Sequence, residues 1–310
     1  ALPISATIVT LALLLDRLLG ELKQFHPLVG FGRVAHRVEL ILFRGEPAAP
    51  RPCGVIGWIA MILPVLFLGL LLAHLQGWVL FTAEVLGLYL VVGGQSLSSH
   101  AHAVSAALQQ EDLPQAQQAV GCIVSRQTDA LNAQGVAKAA TESVLENGSD
   151  AIFGALFWFL LLGLPGVLLY RAINTLDAMW GYKTPRYIDF GWFSARVDDW
   201  VNWIPARLSA LSYALLGHWR SAIYSWRTQA KLCKSPNAGV VMSTGAGALQ
   251  IELGGEAHYN GKREQKPLLG CGDPAQGRDI SRAIQLVQQS QLLWLVVLWC
   301  TALLQRIIYG

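Results

Sequence analysis

Val55 to Leu75 reads VIGWIAMILPVLFLGLLLAHL. The run holds no acidic or basic residue before His74 and is long enough for a helix to cross a hydrocarbon core, which takes about 20 residues. Beyond it, Val79 to Val92 is shorter and contains Glu84, so the two segments read as a helical hairpin turning at His74–Gly77. Further out lie apolar segments near 2–19, 152–170, 201–217 and 292–308. The first runs into Asp16, and the second is interrupted by Gly163-Leu164-Pro165-Gly166.

Composition points the same way. Of 310 residues, 53% are hydrophobic and 14% charged, against about a quarter charged in soluble domains. A net charge of +3, with no basic run interleaved with aromatics, excludes a nucleic-acid partner. Trp78, Trp158, Trp294 and Trp299 flank apolar runs, as interfacial belts require, although core packing would place them there as well. Cys53, Cys122, Cys233, Cys271 and Cys300 show no C-x-x-C spacing, which argues against zinc and for reduced thiols. The opening run lacks the basic flank of a secretory signal.

Basic residues orient the chain. Lys23, Arg33, Arg37, Arg44 and Arg51 mark the first long loop as cytoplasmic. The hairpin then returns 94–150 to that side. A single crossing at 152–170 would leave the basic stretch Arg171–Arg196 outside, so the Gly-Leu-Pro-Gly break is expected to make this segment re-entrant. The sequence thus predicts an all-α polytopic integral membrane protein with about four to six membrane helices. The whole chain, 1–310, reads as one membrane-embedded domain. Segments 94–150, 171–200 and 231–282 form its polar helices and loops.

Within 94–150, Asp112 followed by Pro114 signals a helix start, and Ala116, Ala119, Val120, Ile123 and Val124 form an apolar stripe. Thr128-Asp129 reads as a second cap. Seven of the 20 acidic residues fall between Glu142 and Asp199. Glu142, Glu146 and Asp150 recur at i, i+4 and i+8, on one helix face. Like charges so placed repel and call for a cation. Mg²⁺ held with substrate phosphates would serve; a solvated face, or pairing with Arg126, Lys138 or Arg171, accounts for the stripe equally well. Asn174 and Asp177 repeat the theme, followed by Lys183 and Arg186. Asp198-Asp199 stands beside an apolar run, where ionised groups are costly.

Glycines crowd Ser235–Gly239, Gly245–Gly247 and Gly254-Gly255. Gly255 to Arg263 approaches the Walker A pattern but has five intervening residues instead of four and Arg in place of Ser/Thr. Turns between helices explain the glycines as well as an anion site does. His100 and His102 read as surface residues, and no covalent nucleophile is indicated.

Taken together, the motifs resemble the CobD/CbiB family of cobalamin biosynthesis. They are Asp16-Arg-Leu-Leu-Gly20-Glu21 with His26-Pro27, Ser125-Arg126-Gln-Thr128, Glu142-Ser143-Val-Leu-Glu146-Asn147, and the run from Tyr170 to Tyr182. Tyr187-Ile-Asp189-Phe-Gly191, Asp198-Asp199 through Arg207, Ser235-Pro-Asn237-Ala-Gly239 and Leu253-Gly254-Gly255 through Gly261 continue in family order. Gln127, Gly148-Ser149 and Val240–Thr244 depart from the pattern. The AmpE-like branch shares the architecture and keeps fewer of these acidic motifs.

The resemblance implies an ATP-dependent amide ligase in the inner membrane. It would join adenosylcobyric acid to aminopropanol or its phosphate, with ATP and Mg²⁺ and a cytoplasmic site. Partners beyond the lipid would be a second copy or other membrane enzymes of the pathway. The candidate catalytic carboxylates are Glu142, Glu146, Asp177, Asp198 and Asp199. Glu142, Glu146, Asp150 and Asp177 are the metal candidates. Arg126, Asn147, Arg171, Asn174, Lys183, Arg207, Asn237, Gly254 and Gly255 would contact substrate or nucleotide. A corrinoid-binding or AmpE-like regulatory protein without catalysis is the other reading.

Overall fold

The computed structural model describes residues 2–21, 26–44, 46–259 and 262–309. Lys23 and Gly261, named above, lie outside them. The helices are α1 (Leu2–Leu19), α2 (Pro27–Phe43), α3 (Arg51–Ala73), α4 (Gly77–Val91), α5 (Gly94–Gln109), α6 (Leu113–Gly121) and α7 (Ala133–Gly148). After a π-helical turn (Ser149–Gly154) come α8 (Ala155–Trp180), α9 (Trp192–Val201), α10 (Trp203–Leu216), α11 (Trp219–Gln229), α12 (Ala238–Leu249) and α13 (Gly277–Tyr309). Among the described residues three strands, β1 (Ile251–Tyr259), β2 (Lys262–Gly270) and β3 (Asp273–Pro274), form a sheet of order β2-β1-β3. The chain is therefore all-α in class, with little sheet. Among the described residues, five helical runs are long and apolar enough to cross a membrane: Leu2–Leu19, Arg51–Ala73, Gly77–Gln109, Ala133–Trp180 and Gly277–Ile308. Two compact units share the chain: Ala1–Gly93 with Gly154–Asn202, and Gly94–Phe153 with Trp203–Gly310.

In the first unit, α3 starts on Pro50 and Pro52 and runs without a charge from Pro52 to Ala73. It exposes Ile56, Ile59, Leu63, Phe67, Leu70 and Leu71, a ridge at helical spacing that suits lipid and not water. The turn to α4 falls where the sequence put it.

The segment at 152–170 is not a straight rod. Gly163 has φ +65° and ψ −149°, outside helical space and open to glycine at little cost. Residues 154 and 170 would stand about 24 Å apart along a continuous helix. Instead a Cβ on Gly154 would collide with the Tyr170 hydroxyl, and one on Gly166 would strike the Trp158 carbonyl. The chain reverses at Gly163 and returns past its own entry point, the geometry that the expected re-entrant segment requires. The returning side of its tip packs on protein: Gly69 of α3 approaches Pro165 so closely that a Cβ there would lie 2.9 Å from the Pro165 Cα, and Gly87 of α4 meets Leu164, whereas Leu161 and Leu162 on the entering side are exposed. Glu84 reaches the turn, its Oε1 3.4 Å from where a Gly163 side chain would begin. The returning limb then runs antiparallel to α3, from Pro165 at Gly69 to the packing of Trp180 on Phe190, which in turn lies against Gly54.

At that end α2 packs on α3 and α8. Its buried Glu39 accepts from Arg186 Nη2 (2.8 Å) and the Tyr187 hydroxyl (3.0 Å), and Arg186 stacks on Phe43. Arg51 meets Asp189 at 3.0 Å.

In the second unit, Asp112 caps α6 through Gln115 N–H, as expected, and Ala116 and Val120 are buried. The cap of α7 is a correction: Asn132 accepts from Gly135 N–H, so the helix starts later than Thr128-Asp129 indicated. The stretch expected as loop after Gln250 is the β-hairpin, and α13 begins at Gly277, well before the apolar run at 292. Segment 201–217 is interrupted at Asn202, and α10, about 21 Å long, does not cross a hydrocarbon core alone.

The reversal predicts sidedness. In a cysteine-free background, a cysteine at Lys183 labels from the same side as one at Arg51, and one at Gln76 from the opposite side. Labelling of position 183 together with position 76 would mean a single through-crossing.

Candidate functional site

In the second unit the site grows from one buried side chain. Glu142 lies on the face of α7 that packs against β1, and it is 3% exposed. Its Oε2 pairs with Arg126 and accepts from Lys266 Nζ at 3.4 Å; its Oε1 accepts from Gly254 N–H at 2.9 Å. Two features of the hairpin make this set. Gly254 and Gly255 have φ of +79° and +94°, and the β1–β2 register shifts between Leu253 and Gly255. This bulge turns the Gly254 N–H out of the ladder towards the carboxylate. The same register pairs Gly255 with Lys266, which delivers the ammonium beside it. Lys138 and Glu252 close a second pair at 2.9 Å.

The acidic stripe is regular only for Glu142 and Glu146. Asp150 falls in the π-helical turn, a wide turn that shifts the helical register. Of the partners open to the stripe, Arg126 takes Glu142, whereas Lys138 takes Glu252. Asn147 donates to Ser143 at 2.8 Å. Arg207 lies over the Trp203 ring and donates to Asn237 Oδ1 at 3.1 Å, on the polar N-terminus of α12. Cys233 lies in the field of Lys266, Glu142 and Glu146; burial raises its thiol pKa and Lys266 opposes that. The acidic helix and the Gly-rich stretch thus do meet, at Glu142.

The first unit holds the remaining candidates. Arg171, Asn174 and Asp177 lie on the returning limb of α8. Asn174 Nδ2 donates to Asp198 Oδ1 at 3.3 Å, and Asn202 Nδ2 to Oδ2 at 3.1 Å. Tyr170, buried, donates to Asn202 Oδ1 at 2.8 Å and so fixes which way that amide faces. Burial raises the Asp198 pKa from 3.8 to about 6, with the two amides opposing and neighbouring Asp199 adding to the rise. Gly181 packs on the Asp177 carboxylate. Lys183 is exposed on the loop after α8.

Lys266 was missed in the sequence because only the bulged register brings it to Glu142. Tyr170 and Asn202 were legible as motif residues but not as the support of Asp198. No three His, Cys, Asp or Glu among the described residues converge as a metal cage. Glu142, already facing two cations, fits a metal poorly. Glu146 and Asp150, partly buried in the second unit, and Asp177, partly buried in the first, are carboxylates of the kind that serve Mg²⁺ singly or in pairs beside substrate phosphates.

These features define a polytopic membrane protein with a buried ionic cluster under a glycine-bulged hairpin. The family model for CobD/Cbib protein matches residues 9–287, and the chain belongs to the CobD/CbiB family. It is 53% identical over 287 residues to the cobalamin biosynthesis protein CobD of Stutzerimonas stutzeri strain A1501, covering 93% of this chain and 94% of that one. The protein of that name from Chromobacterium violaceum is 50% identical over 309 residues, 97% of each. The one from Mycobacterium tuberculosis H37Rv is 37% identical over 285 residues, 90% of each. No solved structure matches the chain.

Glu142→Ala leaves Arg126 and Lys266 uncompensated in a buried setting. It should cost about 3–5 kcal/mol of stability, with much of the loss recovered on adding Arg126→Met; thermal melts in detergent test both. Asp198 gives a pH signature. The folded state keeps this proton to about pH 6, while the unfolded chain releases it near pH 4. Its contribution therefore favours the fold at low pH and is lost as pH rises between those values. Asp198→Asn should flatten the melting temperature across that window.

Proposed function

We propose that the chain is an ATP-dependent amide ligase that joins adenosylcobyric acid to aminopropanol or its phosphate, giving adenosylcobinamide or adenosylcobinamide phosphate. Family membership supports this reading. The observation that carries it is the Glu142 cluster. Burying a carboxylate with an arginine and a lysine costs desolvation that apolar packing would avoid, and such clusters concentrate at functional sites. A corrinoid scaffold or an AmpE-like regulator has no phosphoryl group for those two cations to hold.

A carboxylate resists attack by an amine because its oxygen leaves poorly. Transfer of the ATP terminal phosphoryl to the corrinoid propionate would convert that oxygen into a phosphate leaving group and release ADP. The amine then attacks the carbonyl, the amide forms and phosphate departs, so the balance closes with one ATP. In this reading Arg126 and Lys266 hold anionic oxygens as charge shifts on them. Arg171, Lys183 and Arg207 contact phosphate or carboxylate, and Asn147, Asn174, Asn237 and the Gly254–Gly255 bulge shape the substrate surface. Asp198, its two amides aligned, takes the proton from the incoming ammonium, with Asp199 as its neighbour. Mg²⁺, held by Glu146, Asp150 or Asp177, would neutralise the nucleotide phosphates. The site would face the cytoplasm from the inner membrane.

The test is an assay of purified protein with adenosylcobyric acid, aminopropanol or its phosphate, and Mg·ATP, following corrinoid product and ADP together. Glu146→Ala and Asp177→Ala should each lower turnover by about 10²-fold or more while insertion into the membrane stays intact. Near-normal turnover in both variants would remove the carboxylate assignment, and absence of product from the native chain would favour the scaffold.

A further inference from the structure

The outer face of α2 has no role in the reading above. Glu39, the acidic residue of this helix, turns inward to Arg186 and Tyr187. Arg33 and Arg37, one turn apart, point outward, and Arg44 closes the helix on the same exposed side. Among the described residues no carboxylate meets any of the three. Val34, Leu40 and Ile41, between 48% and 71% exposed, flank them.

A face that mixes unpaired arginines with bare aliphatic side chains is poorly suited to water. It suits the boundary between headgroups and acyl chains, where the aliphatic groups enter lipid and the guanidinium groups meet phosphate. The chain holds α2 against the end of the α3–α8 pair. Short connectors tie it to α1 on one side and α3 on the other, and its inner face lies across the end of the α3–α8 pair, with Val38 and Leu42 against Gly57 and Gly32 near Met179.

We infer that Arg33, Arg37 and Arg44 form a binding surface for anionic phospholipid headgroups, with α2 lying in the membrane interface. This does not depend on the ligase reading. The test melts the purified full chain in mild detergent with added phosphatidylglycerol or phosphatidylcholine. The native chain should be stabilised by phosphatidylglycerol at concentrations at least about tenfold lower than by phosphatidylcholine. The combined Arg33→Gln, Arg37→Gln and Arg44→Gln variant should respond to both lipids alike, and Arg→Lys at the same positions should keep the preference. High salt should abolish the preference in the native chain, which tests the surface even if the glutamine variant fails to fold. Equal response of the native chain to both lipids, a preference that survives the glutamine changes or high salt, or the same stabilisation by inorganic phosphate alone would overturn the inference.

Discussion

Lipid offers no partner to an exposed N–H or C=O, and the reversal at Gly163 has to satisfy that constraint. A broken helix survives at membrane depth only where protein covers the break. Here Pro165 seats against Gly69, Leu164 against Gly87, and Glu84 reaches the turn itself. Close backbone approach is what the small residues contribute, since between apolar helices in lipid tight packing replaces the hydrophobic effect as the source of association. The consequence is topological. The loop that follows Trp180, with Arg186 and Asp189, lies at the end of the unit where α3 begins and α2 packs, beside Arg51 and Glu39.

The second unit meets a different cost by a related device. Glu142 is buried, and burial of an isolated carboxylate is far too expensive to persist. Arg126 arrives from the loop ahead of α7, Lys266 from a strand more than a hundred residues later, and the Gly254 N–H from a bulge that only glycine forms readily. Removing any one leaves the others partly uncompensated. The cluster therefore couples the placement of the β-hairpin to that of α7, and mutations there report on the stability of that packing.

Much of the architecture was legible in the residues. The uncharged run of α3, the hairpin to α4, the Asp112 cap and the break at 163–166 are local signals, and a helix needs no distant partner to satisfy its backbone. The start of α7 was misread because Thr128-Asp129 and Asn132 are all competent caps and local chemistry does not choose among them. The β-hairpin was missed for a similar reason: Ile251 to Gly270 is rich in glycine and charge, and its strands exist through pairing with each other and through packing on α12 and α7.

For the site, the sequence by itself determined which side chains were candidates, because carboxylates, amides and arginines at helical spacing beside apolar runs are costly unless they are used or paired. Only the tertiary structure decided what each one faces. It set Glu142 among Arg126, Lys266 and Gly254, moved Asp150 into a wide turn, and placed Asn202 between Tyr170 and Asp198. Apart from Asn202 with Asp198, one helical turn away, these contacts join residues 16 to 124 positions apart, and they follow from strand register, a bulge and a chain reversal that no local periodicity encodes.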